Sequence, residues 1–130
     1  LNTKIMRAIF VFCALLLFGL AFSADAMVRI INRVQLVEIR KQMLTAVVID
    51  SRSNKDFDNI TIPGAKRLPV DRMTEEALAA MVPSKSNPVI FYCHSITTNA
   101  SGEAASKASS WGYTNIFRYT GGISDWVVDK

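Results

Sequence analysis

Cys93, His94, Ser95, Ile96, Thr97, Thr98, Asn99, Ala100 and Ser101 run in sequence between an apolar segment and an alanine-rich one. A thiol and an imidazole stand side by side there, followed by hydroxyls and an amide. His94 is the chain's only histidine, and Cys13 its only other cysteine. A thiol attacks as thiolate, which is stabilised by nearby amide N–H groups and by the positive end of a helix. The hydroxyls and the Asn99 amide add donors, and the backbone amides of residues 94 to 101 add more, so an anion would also be held beside the sulfur. His94 is a candidate proton shuttle near neutral pH; being adjacent to Cys93 in sequence, it is equally free to point away.

Such a site needs a rigid strand before it and a helix after it. The runs AVVID (46–50), PVIFYC (88–93) and NIFRY (115–119) are β-branched or aromatic and lack polar alternation, the pattern of strands covered on both faces. Leu36, Ile39 and Met43 form a helical stripe after Asn32, a candidate N-cap; Leu78, Met81 and Val82 form another after Thr74, with Glu75 and Glu76 in its first turn. A third helix is expected from about Ser101 to Trp111, with Gly112 ending it. IPGA (62–65), VPSKSNP (82–88) and TGGIS (120–124) read as turns or loops. Strands alternating with helices predict an α/β domain of three layers around a mainly parallel sheet. Cys93 then ends the most apolar strand, where ligands bind in open α/β sheets.

The first residues follow a different pattern. Lys4 and Arg7 precede an unbroken apolar run from Ala8 to Phe22, and Ser-Ala-Asp-Ala follows. That is the layout of a secretory signal, and the run falls short of the roughly 20 residues needed to cross a bilayer core. Residues 1–26 are therefore expected to be a cleaved signal peptide, with Ala24 and Ala26 at the cleavage pattern, and residues 27–130 a single exported, periplasmic domain. An uncleaved membrane anchor is the alternative.

Cleavage would leave Cys93 as the sole thiol. Exported domains use cysteines mostly in pairs, so an unpaired one points to reactivity; the other reading is a small buried hydrophobe closing a strand. The formal net charge of +4 is mild and the basic residues are scattered, which gives no footprint for nucleic acid.

Several spaced motifs together resemble a single-domain rhodanese. VVIDSRSNKDF (47–57) is similar to the family's hydrophobic-Asp-x-Arg segment and TIPGAKRLP (61–69) to its Ile-Pro-Gly-Ala segment. PVIFYC resembles its active-site strand, and WGYTNIFRYTGGISDW (111–126) its closing Gly-Gly-x-x-x-Trp segment. The resemblance implies a rhodanese-like three-layer α/β/α fold and a sulfurtransferase that works as a monomer. Its Cys93 would take sulfane sulfur from thiosulfate or a persulfide donor, hold it as a persulfide, and pass it to a thiol or to cyanide. It implies no cofactor and no metal, and it places the substrate anion on the amides of residues 94 to 101. Asp50, Arg52 and Asp56 match family positions and are expected to be structural, with Arg52 and Asp56 paired.

The stretch after Cys93 departs from the family pattern, since HSITTNAS holds neither the glycine nor the arginine that related domains often carry. Ala100 stands at the arginine position of a longer exported variant, and Thr98 at its second cysteine. Arg67 and Arg118 are the cations that another segment could bring in. Two alternatives follow: a catalytically silent binding module of the same fold, and a phosphatase or arsenate reductase acting on oxyanions.

Overall fold

Short runs of Val, Ile, Phe and Tyr cannot satisfy their backbone groups in an apolar interior except by pairing with one another. The computed structural model, which describes residues 27–128, arranges them in the order β1 (Arg29–Ile31), α1 (Arg33–Gln42), β2 (Val47–Asp50), β3 (Lys66–Arg67), a 3-10 turn (Val70–Arg72), α2 (Glu75–Met81), β4 (Val89–Tyr92), α3 (Ala100–Ser110), β5 (Ile116–Tyr119) and α4 (Gly122–Val128). All five strands are parallel, in the order β1-β5-β4-β2-β3, so β4 lies at the centre. The expected signal segment and its Cys13 lie outside the described residues. Among the described residues no helix is long and apolar enough to cross a membrane.

The pleat divides each strand between two cores. Ile49, Val89, Phe91 and Ile116 pack with Leu78 of α2 and with Ala104, Ala105 and Ala108 of α3. Val48, Ile90, Tyr92, Phe117 and Tyr119 pack on the other face with Leu36 of α1 and Ile123 of α4. This is the expected three-layer α/β architecture. The alanines of α3 let its backbone approach the sheet closely, which sets the distance between the end of β4 and the start of α3.

The expected helix boundaries hold with small shifts. Asn32 caps α1 through a reciprocal pair, its Oδ1 accepting from the Gln35 amide at 2.9 Å while Gln35 Oε1 accepts from the Asn32 amide at 2.8 Å. Thr74 Oγ1 accepts from the Ala77 amide at 3.1 Å to start α2. Gly112, at φ +91°, turns the chain out of α3. Met43 does not extend the buried stripe of α1: it is the C-cap and is exposed.

Three features differ from the sequence expectation. β1 and β3 are too short to show a periodicity, and Lys66–Arg67 is a strand only because Ile49 and Asp50 offer it a free edge. The expected loop over 120–124 is a turn only as far as Gly121; residues 122–124 already belong to α4. Arg52 pairs with Asp58 instead of Asp56. Residues 52–56 form no helix, so their i,i+4 geometry is absent, and the Asp56 carboxylate accepts from Ser53 Oγ.

Arg52 is 1% exposed and is met on every side by acceptors. Its Nε and Nη2 donate to the two oxygens of Asp50 at 3.0 and 2.6 Å, Nη1 donates to Asp58 Oδ1 at 3.0 Å, and Nη2 also donates to the Ile60 carbonyl at 2.6 Å. Burial works against the charged guanidinium, yet the bonds and charges of Asp50 and Asp58 outweigh it and raise its pKa. The Ile60 amide, helped by Arg52, holds Asp58 below the usual carboxylate range against the cost of desolvation.

Tyr92 completes this network. Its hydroxyl donates to Asp50 Oδ2 at 3.2 Å and accepts from the Ile62 amide at 3.2 Å. Burial, with the Asp50 charge behind it, pushes the phenol up from 10.0 to about 12. Below pH 10 folded and unfolded states both hold the proton and this contribution is whole; between 10 and 12 the unfolded chain ionises first and stability falls. The loss is at most about 1.4 kcal/mol per pH unit. Tyr92→Phe should lower stability by about 1–2 kcal/mol at neutral pH by stranding the Ile62 amide. It should also flatten the alkaline decline, and denaturant unfolding of both proteins on either side of this pH window measures the two effects; an equally steep decline in the variant would remove Tyr92 as its cause.

Candidate active site

Cys93 continues the line of β4 to its carboxyl end, at the centre of the sheet, and the loop from His94 to Asn99 leads into α3. The Cys93 side chain lies on the α3 face, the parity of Val89 and Phe91. Its sulfur is surrounded by oxygen atoms. Thr98 Oγ1 lies 3.1 Å from Sγ and Ser101 Oγ 3.3 Å, with the carbonyls of Thr98 at 3.5 Å and Ser95 at 3.8 Å. Cys93 is 2% exposed and is the free cysteine of the described residues.

Of the residues that the sequence marks out, Ser95, Thr98 and Ser101 reach the sulfur. The exposed His94 makes no contact with it through its ring; its carbonyl accepts from the Ser124 amide at 3.0 Å. Ile96 sits at the loop tip, 74% exposed. Thr97 Oγ1 pairs with Ser95 Oγ at 2.7 Å. Asn99 stands at the N-cap of α3 without capping it, since its Oδ1 accepts from Arg118 Nη2 at 3.3 Å, and Ala100 is the first helical residue.

The loop holds itself together with some of the amides expected to bind an anion. The Ser95 amide donates to Thr98 Oγ1 and that of Thr97 to Ser95 Oγ, each at 3.3 Å, and that of Thr98 to the Ser95 carbonyl at 3.2 Å. That leaves the amides of His94 and Ile96 and those of Asn99, Ala100 and Ser101 at the start of α3, where a helix presents its unpaired N–H groups.

Three participants come from elsewhere in the chain. Ser51 follows β2 and donates its amide to the Tyr92 carbonyl at 2.8 Å, so the parallel register sets it beside Cys93. It is fully buried, and its hydroxyl has no partner among the described residues. Arg118 of β5 faces α3 and donates from Nε to Ser101 Oγ at 2.9 Å. Arg67 is instead held away from the loop, over the Phe57 ring and against Asn54. Strand parity alone would have placed Arg118 on the α3 face with Ile116; no local signal marks Ser51.

The third participant is the first turn of α4, whose Ile123 and Ser124 amides donate to the carbonyls of Cys93 and His94, each at 3.0 Å. Gly122 makes this possible. It sits at φ +64°, and a Cβ there would lie 2.5 Å from the Cys93 carbonyl oxygen and 2.7 Å from that of His94. Gly112 also has positive φ but has open space around it. Gly122→Ala should therefore cost more than Gly112→Ala, by about 1–3 kcal/mol in denaturant unfolding. Equal costs would show that the α4 contact leaves no room constraint at the thiol.

Residues 33–129 match the family described as Rhodanese-like domain. A thiosulfate:glutathione sulfurtransferase of Saccharomyces cerevisiae is 31% identical over 91 residues, which cover 62% of this chain and 64% of that protein. The chain thus spans less than two thirds of the length of this curated relative. The structure of a rhodanese with anions from E. coli is 30% identical, over 62% of this chain and 89% of that one, with a TM-score of 0.52. A human single-domain sulfurtransferase has the same fold at 23% identity, over 82% of this chain and 98% of that one, with a TM-score of 0.57. The parallel sheet, the helices on its two faces and the match over nearly all of the described residues lead to one assignment: this chain belongs to the rhodanese-like domain family.

Proposed function

We propose that this protein is a sulfurtransferase whose Cys93 carries sulfane sulfur from thiosulfate or a persulfide donor to a thiol. The observation behind this reading is the Cys93 sulfur at the end of the central strand, with the Thr98 and Ser101 hydroxyls at 3.1 and 3.3 Å, in a member of this family. The name of the yeast relative pairs thiosulfate with glutathione, and we carry that donor and acceptor chemistry to this chain.

In the first step the Cys93 thiolate attacks the outer sulfur of thiosulfate. The S–S bond of thiosulfate breaks, sulfite leaves with the electron pair, and Cys93 holds a persulfide. An acceptor thiolate, or cyanide, then attacks the terminal sulfur and releases the Cys93 thiolate. Electron pairs move between sulfurs without external oxidant or reductant, and one transfer is split into two displacements. Hydroxyl and amide donors around Cys93 stabilise the anion in each state. Because Cys93 is 2% exposed, a donor reaches the sulfur only after the residues that cover it shift.

That burial, together with a loop lacking its own cation, favours a second reading in which the domain binds a partner without turnover. Incubation with thiosulfate or a polysulfide separates the two. The expected outcome is an intact mass raised by one sulfur atom, thiocyanate release on adding cyanide, and at least about a hundredfold loss of both in Cys93→Ser. No adduct on the wild-type chain would decide for the silent module.

We also propose that residues 1–26 direct export, on the basic start and the apolar run Ala8 to Phe22. N-terminal sequencing of the exported protein should begin at Met27; a mature chain that still contains Cys13 would overturn this.

A further inference from the structure

The loop from His94 to Asn99 holds an anionic sulfur in the proposed chemistry, yet it contains no Lys or Arg. We propose that Arg118 is a positioning residue which supplies that charge indirectly, by orienting and polarising the Ser101 hydroxyl toward the Cys93 sulfur when the sulfur is an anion. The purpose given to the anion rests on the sulfurtransferase reading; the arrangement itself rests on geometry.

The bonds form a chain. Arg118 Nε donates to Ser101 Oγ at 2.9 Å, and Ser101 Oγ lies 3.3 Å from Cys93 Sγ. Ser101 is fully buried, so water cannot replace either partner. While Cys93 is a thiol, its S–H has Ser101 Oγ and the carbonyls of Thr98 and Ser95 as acceptors. When the proton leaves, the serine hydroxyl turns its own hydrogen to the sulfur, because the guanidinium already occupies one oxygen lone pair and remains its donor. The guanidinium polarises that O–H toward the thiolate, which makes the bond charge-assisted at both ends. A second bond, from Arg118 Nη2 to Asn99 Oδ1 at 3.3 Å, holds the guanidinium at the start of α3.

The other charged groups around the thiol are engaged elsewhere or face away. His94 is exposed, and its ring has no bond to Sγ. On α3, Glu103 and Lys107 line the open groove beside Arg118, and Lys107 Nζ donates to the Val70 carbonyl at 2.9 Å. Asp50, Arg52 and Arg67 lie together at the end of β2, Arg67 Nη1 being 3.9 Å from Asp50 Oδ1. Asp71 and Arg72 of the 3-10 turn are exposed, and Asp125 of α4 accepts from the Tyr119 hydroxyl. Among the described residues, Arg118 is the charged side chain bonded to a group that itself touches the sulfur.

The test follows thiolate ultraviolet absorbance against pH in the full chain, with Cys93→Ser as the reference that removes Cys13 and tyrosine signals. Arg118→Met should move the Cys93 midpoint upward by about half a unit to one unit, and Arg118→Lys should restore part of it. Ser101→Ala should shift the midpoint in the same direction, and Arg118→Met added to Ser101→Ala should produce no further shift, since the pathway is already cut. An unmoved midpoint in Arg118→Met, or an undiminished shift in the Ser101→Ala background, would overturn the proposal. Circular dichroism checks each fold, and if Arg118→Met unfolds, Arg118→Lys and Ser101→Ala carry the comparison. This readout needs no sulfur donor. A chain with the Arg118 effect but no thiosulfate adduct sinks the sulfurtransferase reading alone, whereas an adduct with a titration indifferent to Arg118 sinks this one alone.

Discussion

Arg52 carries a full charge with 1% of its surface in contact with solvent, a state that is tolerable only because Asp50 takes its Nε and Nη2 and because Asp58 and the Ile60 carbonyl take the rest. Removing either partner of such a pair typically costs about 3–5 kcal/mol, since the other is left buried and unpaired. The pair does more than hold itself together. Asp50 also receives the Tyr92 hydroxyl, which in turn receives the Ile62 amide. Thus the ends of β2 and β4 are tied to each other and to the long segment that crosses from Arg52 to Lys66. Tyr92 immediately precedes Cys93, so the same network fixes the last residue before the thiol.

From that anchored end the chain leaves the sheet, and three elements determine where the sulfur sits. α4 holds the carbonyls of Cys93 and His94 through its first amides, which Gly122 brings close by lacking a Cβ. α3 approaches the sheet on its alanine face and delivers Ser101 to the sulfur. β5 turns Arg118 toward the same helix, with its guanidinium on Ser101 and Asn99. Thr98 closes the loop from within, its hydroxyl accepting from the Ser95 amide while lying 3.1 Å from the sulfur. The thiol is therefore lined by hydroxyls and carbonyls, and the Arg118 guanidinium meets it through Ser101.

Much of this was legible in the linear sequence where local physics dominates. The uniformly apolar strands, the Asn32 and Thr74 caps and the Gly112 stop each act within a few residues, so their residue types carry the signal. Cys93 at a strand end was legible for the same reason. β1 and β3 were not, because strands of three and two residues exist only through their neighbours' open edges. Nor was the helical start at Gly122, since a Gly-Gly pair reads as a turn until the carbonyls that its helix meets are in place. Nor was the Arg52 partner, since an i,i+4 spacing favours Asp56 only in a helix and residues 52–56 form none.

The sequence by itself determined the α/β class, the succession of strands and helices, and the placement of a thiol and its hydroxyl neighbours at the end of the most apolar strand. These depend on side-chain chemistry and on periodicities of a few residues, which the chain carries wherever it goes. Only the tertiary structure decided which distant residues gather around Cys93 at the end of β4. Ser101, Arg118, Ser51 and the first turn of α4 lie 8, 25, 42 and about 30 residues from Cys93 along the chain. Parallel register and strand parity bring them to one point, and hydrogen bonds act over about 3 Å of space, whatever the separation in sequence.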